Sequence, residues 1–254
     1  MTLDPKLLWE NLSPSDLDKA VADTPIAYVP CGSLEWHGEH LPLGCDLLRA
    51  AAICHRAAAR SGGVVLPTLY TTAPGFSAYR GSIFFSCRLV KALVAEMLRE
   101  LDKVGVRVAV MLIAHAGRAQ QESFAGPAGE YEAGHEMRVL VSTGWELLPA
   151  DLRAPGGHAG TGETQECMAA RPESVDLKRY DPANTALPRY EGLDPATYHD
   201  GLPEESQEHV RQHMAATEWQ WDPDLADRAT REAGERQLDA VAKALAERAS
   251  GLLG

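Results

Sequence analysis

Val106-Arg107-Val108-Ala109-Val110-Met111-Leu112-Ile113 is the stretch that most restricts what this chain can become. Apart from Arg107 it is apolar throughout, with no alternation, so a strand here needs cover on both faces. Strands covered on both faces belong to parallel sheets with helices above and below. The preceding segment supplies such cover. Leu89, Val90, Leu93, Val94, Met97, Leu98 and Leu101 recur at three and four, an amphipathic helix that Gly105 ends.

Shorter strands are expected at 25–30, 64–70 and 139–143. Ser13-Pro14 opens a helix over 14–22. Asp46 stands as the N-cap of an alanine-rich helix over 47–60, and the Gly-rich stretch 156–164 leads a helix to Ala170. Strand and helix in alternation imply right-handed crossovers and one domain over 1–254: a layered α/β/α fold with a mostly parallel central sheet. Residues 176–221 read as an irregular, acidic, insertion-like segment, and 223–253 as a C-terminal helix capped by Asp222.

Charge and composition exclude several classes. A net charge of −12 leaves no basic patch for phosphates, so neither nucleic acid nor an anionic membrane is an expected partner. No apolar run approaches the roughly 18 residues of a membrane helix. Residues 1–12 lack the basic and apolar regions of a signal peptide. Five scattered cysteines without a CxxC pair fit a reducing cytoplasm.

The chemistry-bearing residues gather where parallel strands end. Gly32-Ser33-Leu34-Glu35-Trp36-His37-Gly38-Glu39-His40-Leu41-Pro42-Leu43-Gly44-Cys45-Asp46 follows the first strand, with Glu35 and His37 on one face of an extended backbone. His115 follows the buried strand, and His158 and Glu163 belong to the Gly-rich stretch. Carboxylates with imidazoles are ligands for Zn²⁺, Mn²⁺ or Fe²⁺. Two such ions, with Asp46 as the natural bridge, would neutralise three carboxylates and a bridging hydroxide that are costly to bury alone.

At these residues the chain resembles the creatininase (creatinine amidohydrolase) family. The block Gly-Ser-x-Glu-x-His-Gly-x-His-Leu-Pro-Leu-Gly-x-Asp is met in full by 32–46, and His-Ala-Gly-x-x-Glu-Thr by 158–164. A third string, Asn-Gly-His-Gly-Gly-Asn, is met only in part by Ile113-Ala114-His115-Ala116-Gly117-Arg118. The resemblance implies a creatininase-like α/β fold, two divalent ions per chain, hydrolysis of an amide-type C–N bond in a small cyclic or nitrogen-rich substrate, and assembly as a homo-oligomer, commonly a hexamer. Glu35 and His115 would then serve one ion, His37 and Glu163 the other, with Asp46 bridging and His158 as proton shuttle.

Where creatinine-hydrolysing enzymes have an aromatic residue and a glutamate, this chain has Ala116 and Gly117, which points away from creatinine itself. Arg118 could hold a substrate carboxylate and Trp145 could cover the substrate. The rivals are peptide trimming or deformylation within the family, and a catalytically silent, metal-stabilised scaffold.

Overall fold

Strands β1 (Ile26–Cys31), β2 (Val64–Val65), β3 (Val108–Ile113) and β4 (Arg138–Ser142) form a wholly parallel sheet in the order β2-β1-β3-β4. It is seen in a computed structural model that describes residues 4–193, 204–216 and 218–254. Around it run α1 (Pro14–Asp23), α2 (Cys45–Ser61), α3 (Cys87–Lys103), α4 (Arg118–Glu132), α5 (Thr161–Ala170), α6 (Glu204–Ala215), α7 (Leu225–Arg228) and α8 (Arg231–Gly251).

Every residue of β1 and β3 is buried, as the unbroken apolar run requires. The pleat divides them between two cores. Val29, Cys31, Met111 and Ile113 meet Val90, Val94 and Leu98 of α3 and Phe124 of α4. Tyr28, Val110 and Leu112 meet Ile53 and Ala57 of α2 and Leu238 and Leu245 of α8. This is the expected α/β/α layering. Each fully buried large aliphatic or aromatic side chain contributes about 1.5–3 kcal/mol.

Several elements differ from expectation. The strand at 64–70 shortens to Val64–Val65, because Pro67 has no N–H to donate; Leu66 and Leu69 still donate to Tyr28 and Pro30 (both 2.9 Å). Helix α2 begins at Cys45, so Asp46 lies in its first turn rather than capping it. Helix α4 had no sequence signal: Gly126, Pro127 and Gly129 blur its pattern.

The 176–221 segment is not irregular throughout, since α6 lies within it and buries Val210 and Met214, four apart. Residues 194–203 and 217 of that segment lie outside the described residues. The helix expected over 223–253 is broken at Ala229. Thr230 restarts the chain as the N-cap of α8, its hydroxyl accepting from Ala233 N–H (3.2 Å). No helix among the described residues is long and apolar enough to cross a membrane.

Helix α8 approaches α5 so closely that a Cβ on Gly234 would stand 1.8 Å from the Gln165 carbonyl oxygen. Gly234→Ala must therefore push these helices apart at backbone level. Urea unfolding should show a loss at or above the about 1–3 kcal/mol typical of overpacking, despite alanine's better helix propensity.

The register matters most for function. Cys31 pairs with Ile113, so β1 and β3 end level, and Ala114 N–H donates to the Cys31 carbonyl (2.9 Å). The segments carrying Glu35 and His115 thus leave the sheet side by side at its carboxyl edge, where open parallel sheets hold their ligands.

Candidate metal centre

Glu35, His37 and Asp46 are at most 1% exposed and His115 is 6% exposed, so four ligand-type side chains share one nearly dry site. His37 Nδ1 donates to the Glu35 carbonyl (3.0 Å), which leaves Nε2 facing Asp46 Oδ1 (3.4 Å) and Glu163 Oε2 (3.5 Å). His115 Nδ1 sits 3.0 Å from Glu35 Oε2 and 3.6 Å from Asp46 Oδ2. Asp46 thereby offers one oxygen to each imidazole. Ser33, fully buried, donates to Asp46 Oδ2 and lies 3.2 Å from Glu35 Oε2.

His158 reaches the same site from the loop before α5. Glycines allow that loop its tight path: Gly156 has φ +122°, and a Cβ on Gly160 would fall 2.7 Å from Gly156 Cα. Its Nε2 donates to the Trp36 carbonyl (2.6 Å), leaving Nδ1 as the free nitrogen, 3.8 Å from Glu35 Oε2. The ring stacks on Phe76 (4.2 Å, 20°), with Trp219 edge-on at 5.5 Å. Glu163, in the first turn of α5, receives Ala159 N–H on Oε2 (2.7 Å) and Arg49 on Oε1 (2.8 Å).

These residues suit divalent metal. In a tetrahedral site with bonds of about 2.1 Å, neighbouring donors stand about 3.4 Å apart; the pairs above are spaced at 3.0–3.6 Å. His37 Nε2 stands just beyond hydrogen-bond contact with the two carboxylate oxygens that face it, an arrangement that calls for a positive charge between them, supplied by a proton or by a metal ion. Glu35–Asp46–His115 and His37–Asp46–Cys45 each bring three donor atoms within 4.8 Å of one another.

The charges lead to a prediction. Burial works against charge on His37, but Asp46 foremost, then Glu163 and Glu35, hold its pKa up to about 10. Burial likewise opposes charge on His115, and Glu35 and Asp46 raise it to about 10. Burial would raise Glu35, yet His115 and His158 bring it down to about 2. Without metal both imidazoles are therefore protonated at pH 7. Ligation needs them neutral, so metal uptake should release about two protons, read by calorimetry in buffers of different ionisation enthalpy. By linkage, the raised histidines stabilise the metal-free fold fully below pH 6.5, and that contribution is lost as pH climbs through about 10.

The two remaining expected site residues stand apart from the cluster. Arg118, at the start of α4, lines the cavity beside His115, but Glu122 (2.9 Å) and Glu205 (2.5 Å) already take its guanidinium. Trp145 lies at the same cavity, 49% exposed, with Arg153 5.4 Å from its ring centroid. Neither lies among the ligand-type groups. The cavity is about 510 Å³, with Phe76, His115, His158 and Glu163 on its inner wall.

Sequence reasoning missed Arg49, Trp219 and the hydrogen-bonding role of Ser33. For Arg49 the available signal was spacing: Asp46 and Arg49 stand three apart on one helix, as Glu163 and Glu166 do on another.

A family model described as creatinine amidohydrolase matches residues 10–249. Creatinine amidohydrolase of Pseudomonas putida is 27% identical over 195 residues, which are 67% of this chain and 75% of that protein. Mycofactocin precursor peptide peptidase of Mycolicibacterium smegmatis is 27% identical over 169 residues, 64% of each chain. A crystal structure of creatinine amidohydrolase (creatininase) superposes with a TM-score of 0.71 at 22% identity, covering 95% of this chain and 96% of that one. Creatininase has also been solved in a manganese form and as a Zn–Zn variant. The matched region takes in β1, His115, the Gly-rich loop and most of α8, hence every residue of the cluster, and the chain belongs to the creatininase family of amidohydrolases, enzymes that act on carbon–nitrogen bonds.

Proposed function

We propose that this chain hydrolyses an amide-type C–N bond in a small molecule, a cyclic amide or related nitrogen-rich compound, with two divalent ions held by Glu35, His37, Asp46, His115 and Glu163. The observation that carries the reading is Asp46, whose two oxygens face His37 on one side and His115 on the other. When bound, the ions supply Lewis acidity toward the substrate carbonyl and lower the pKa of water toward about 7. Zn²⁺, Mn²⁺ and Fe²⁺ all suit this mixed donor set.

The chain's own residues do the proton work. Trp36's carbonyl fixes the tautomer of His158, so Nδ1 is the nitrogen that takes a proton from attacking water and returns it to the departing nitrogen. Burial lowers the pKa of His158 and keeps it neutral, as a base must be; in the metal-free protein the His37 charge adds to the effect. Phe76 and Trp219 close around its ring and limit water there. Amide and water become carboxylate and amine.

Gly117 shapes the substrate side. A Cβ there would stand 2.6 Å from His115 Nε2, so this position beside His115 admits no side chain. A cavity of about 510 Å³ also accommodates more than a single small ring. A second reading, cleavage of a peptide substrate, is favoured by that size together with the likeness to a peptide peptidase. We place the enzyme in the cytoplasm, where five free, buried thiols remain reduced. Exposed Tyr70, Ile83 and Leu89 suit contact with further copies in a homo-oligomer, a hexamer by family resemblance.

The test is turnover of the metal-loaded protein on cyclic amides, ureides, formamides and short peptides, followed as amine release. Preference for a cyclic amide or ureide supports the main reading and preference for peptides the second. Turnover of none of these by fully metal-loaded protein would leave the silent scaffold.

A further inference from the structure

The site contains a cation that neither the motifs nor the family resemblance accounts for. Arg49 stands three residues beyond Asp46 on α2, its side chain 12% exposed. Its Nη1 donates to Asp46 Oδ1 (3.2 Å) and to Glu163 Oε1 (2.8 Å), while Nε donates to Glu166 Oε2 (2.6 Å). One guanidinium therefore ties together carboxylates from two helices.

The atoms it takes are informative. Asp46 Oδ1 and Glu163 Oε2 are the oxygens that face His37 Nε2, at 3.4 and 3.5 Å. For Glu163 the oxygen on Arg49 is the other one, Oε1, so the ion pair orients the carboxylate without occupying the atom turned toward His37. A lone buried guanidinium so close would repel a dication. Glu166, 6% exposed, supplies the matching negative charge and leaves Arg49 a mainly geometric influence.

We propose that Arg49, neutralised by Glu166, is a positioning residue for the ion on the His37 side, aligning Asp46 and Glu163 so that one oxygen of each converges with His37 Nε2. The proposal rests on the two-ion reading above. Partners that hydrogen-bond to ligands typically change metal affinity by 10–100-fold, and here a single group holds two ligands at once.

Calorimetric titration of the metal-free protein with Mn²⁺ tests it. Wild type should take up two equivalents, and the one that Glu163→Gln loses is the His37-side ion, the second equivalent. Arg49→Met should weaken the second by about 10–100-fold and the first much less, with Arg49→Lys recovering part of the loss by keeping the charge and one hydrogen bond. Glu166→Gln keeps an oxygen for Nε but removes the counter-charge, so it too should weaken the second equivalent. A second equivalent as tight as wild type, or tighter, in Arg49→Met would overturn the proposal, because the guanidinium would then be a bystander or a competitor of the ion. Equal losses at both equivalents would also overturn it, as the mark of a merely structural role. Fewer than two equivalents in wild type is a different failure, that of the two-ion reading itself.

Discussion

Asp46→Ala is expected to yield protein that retains neither ion after dialysis, with turnover reduced by roughly three decades or more. The magnitude follows from the several kcal/mol that metal ions contribute to stabilising transition-state charge. The expectation of a double loss comes from placement. Asp46 is 1% exposed, with Oδ1 toward His37 and Arg49 and Oδ2 toward His115 and Ser33. Burial would raise its pKa, but His37 and His115 hold it well below the usual carboxylate range.

Removing Asp46 strands two imidazoles and one edge of a guanidinium in a dry site. Leaving a buried ionic partner uncompensated costs about 3–5 kcal/mol, so the metal-free variant should also melt earlier. Glu163→Gln is the informative comparison. It removes an acidic group from the His37 side alone, so about one ion should remain. Elemental analysis and thermal melts of both variants check this; retention of one ion by Asp46→Ala would show that Asp46 does not bridge.

What the sequence revealed and what it hid divide by distance along the chain. The core strand β3 was legible because burial on both faces leaves no polar residue in Val108–Ile113. The cluster was legible because short strings deliver it: Glu35, His37 and Asp46 within twelve residues, His158 and Glu163 within six. Arg49 was hidden because Glu163 and Glu166 lie 114 and 117 residues away, beyond the reach of any local pattern.

Helix α6 was hidden by composition. Its exposed side is acidic, and among its described side chains Val210 and Met214 are the apolar ones on the face it buries. The break at Ala229 escaped notice because apolar spacing continues across it, while Thr230 caps α8 with a single hydroxyl. Arg118 shows the limit of a local reading from the other side: a cation beside the cavity suggests an anionic ligand, and only the fold brings Glu122 and Glu205 to its guanidinium.

His158→Ala should retain both ions and yet lose about 10²–10⁴-fold in turnover, the usual range for a positioned acid–base group. Glu35, His37 and His158 also bring three donor atoms within 4.8 Å of one another, yet this ring has no part in the pairs spaced at 3.0–3.6 Å: its Nε2 is committed to the Trp36 carbonyl and its Nδ1 stands 3.8 Å from Glu35. The pH dependence separates proton transfer from packing. Since burial lowers the pKa of His158, wild type should stay active into mildly acidic solution. Its activity should fall only below the ordinary histidine range, as Nδ1 becomes protonated. The residual activity of His158→Ala should lack that acid limb, whereas Phe76→Leu, which removes the ring stacked on His158 but leaves Nδ1 and Nε2 in place, should keep the limb at lower amplitude. A metal-replete His158→Ala protein with full turnover on a confirmed substrate would remove His158 from the mechanism and leave its contacts with Phe76 and Trp36 as its whole role.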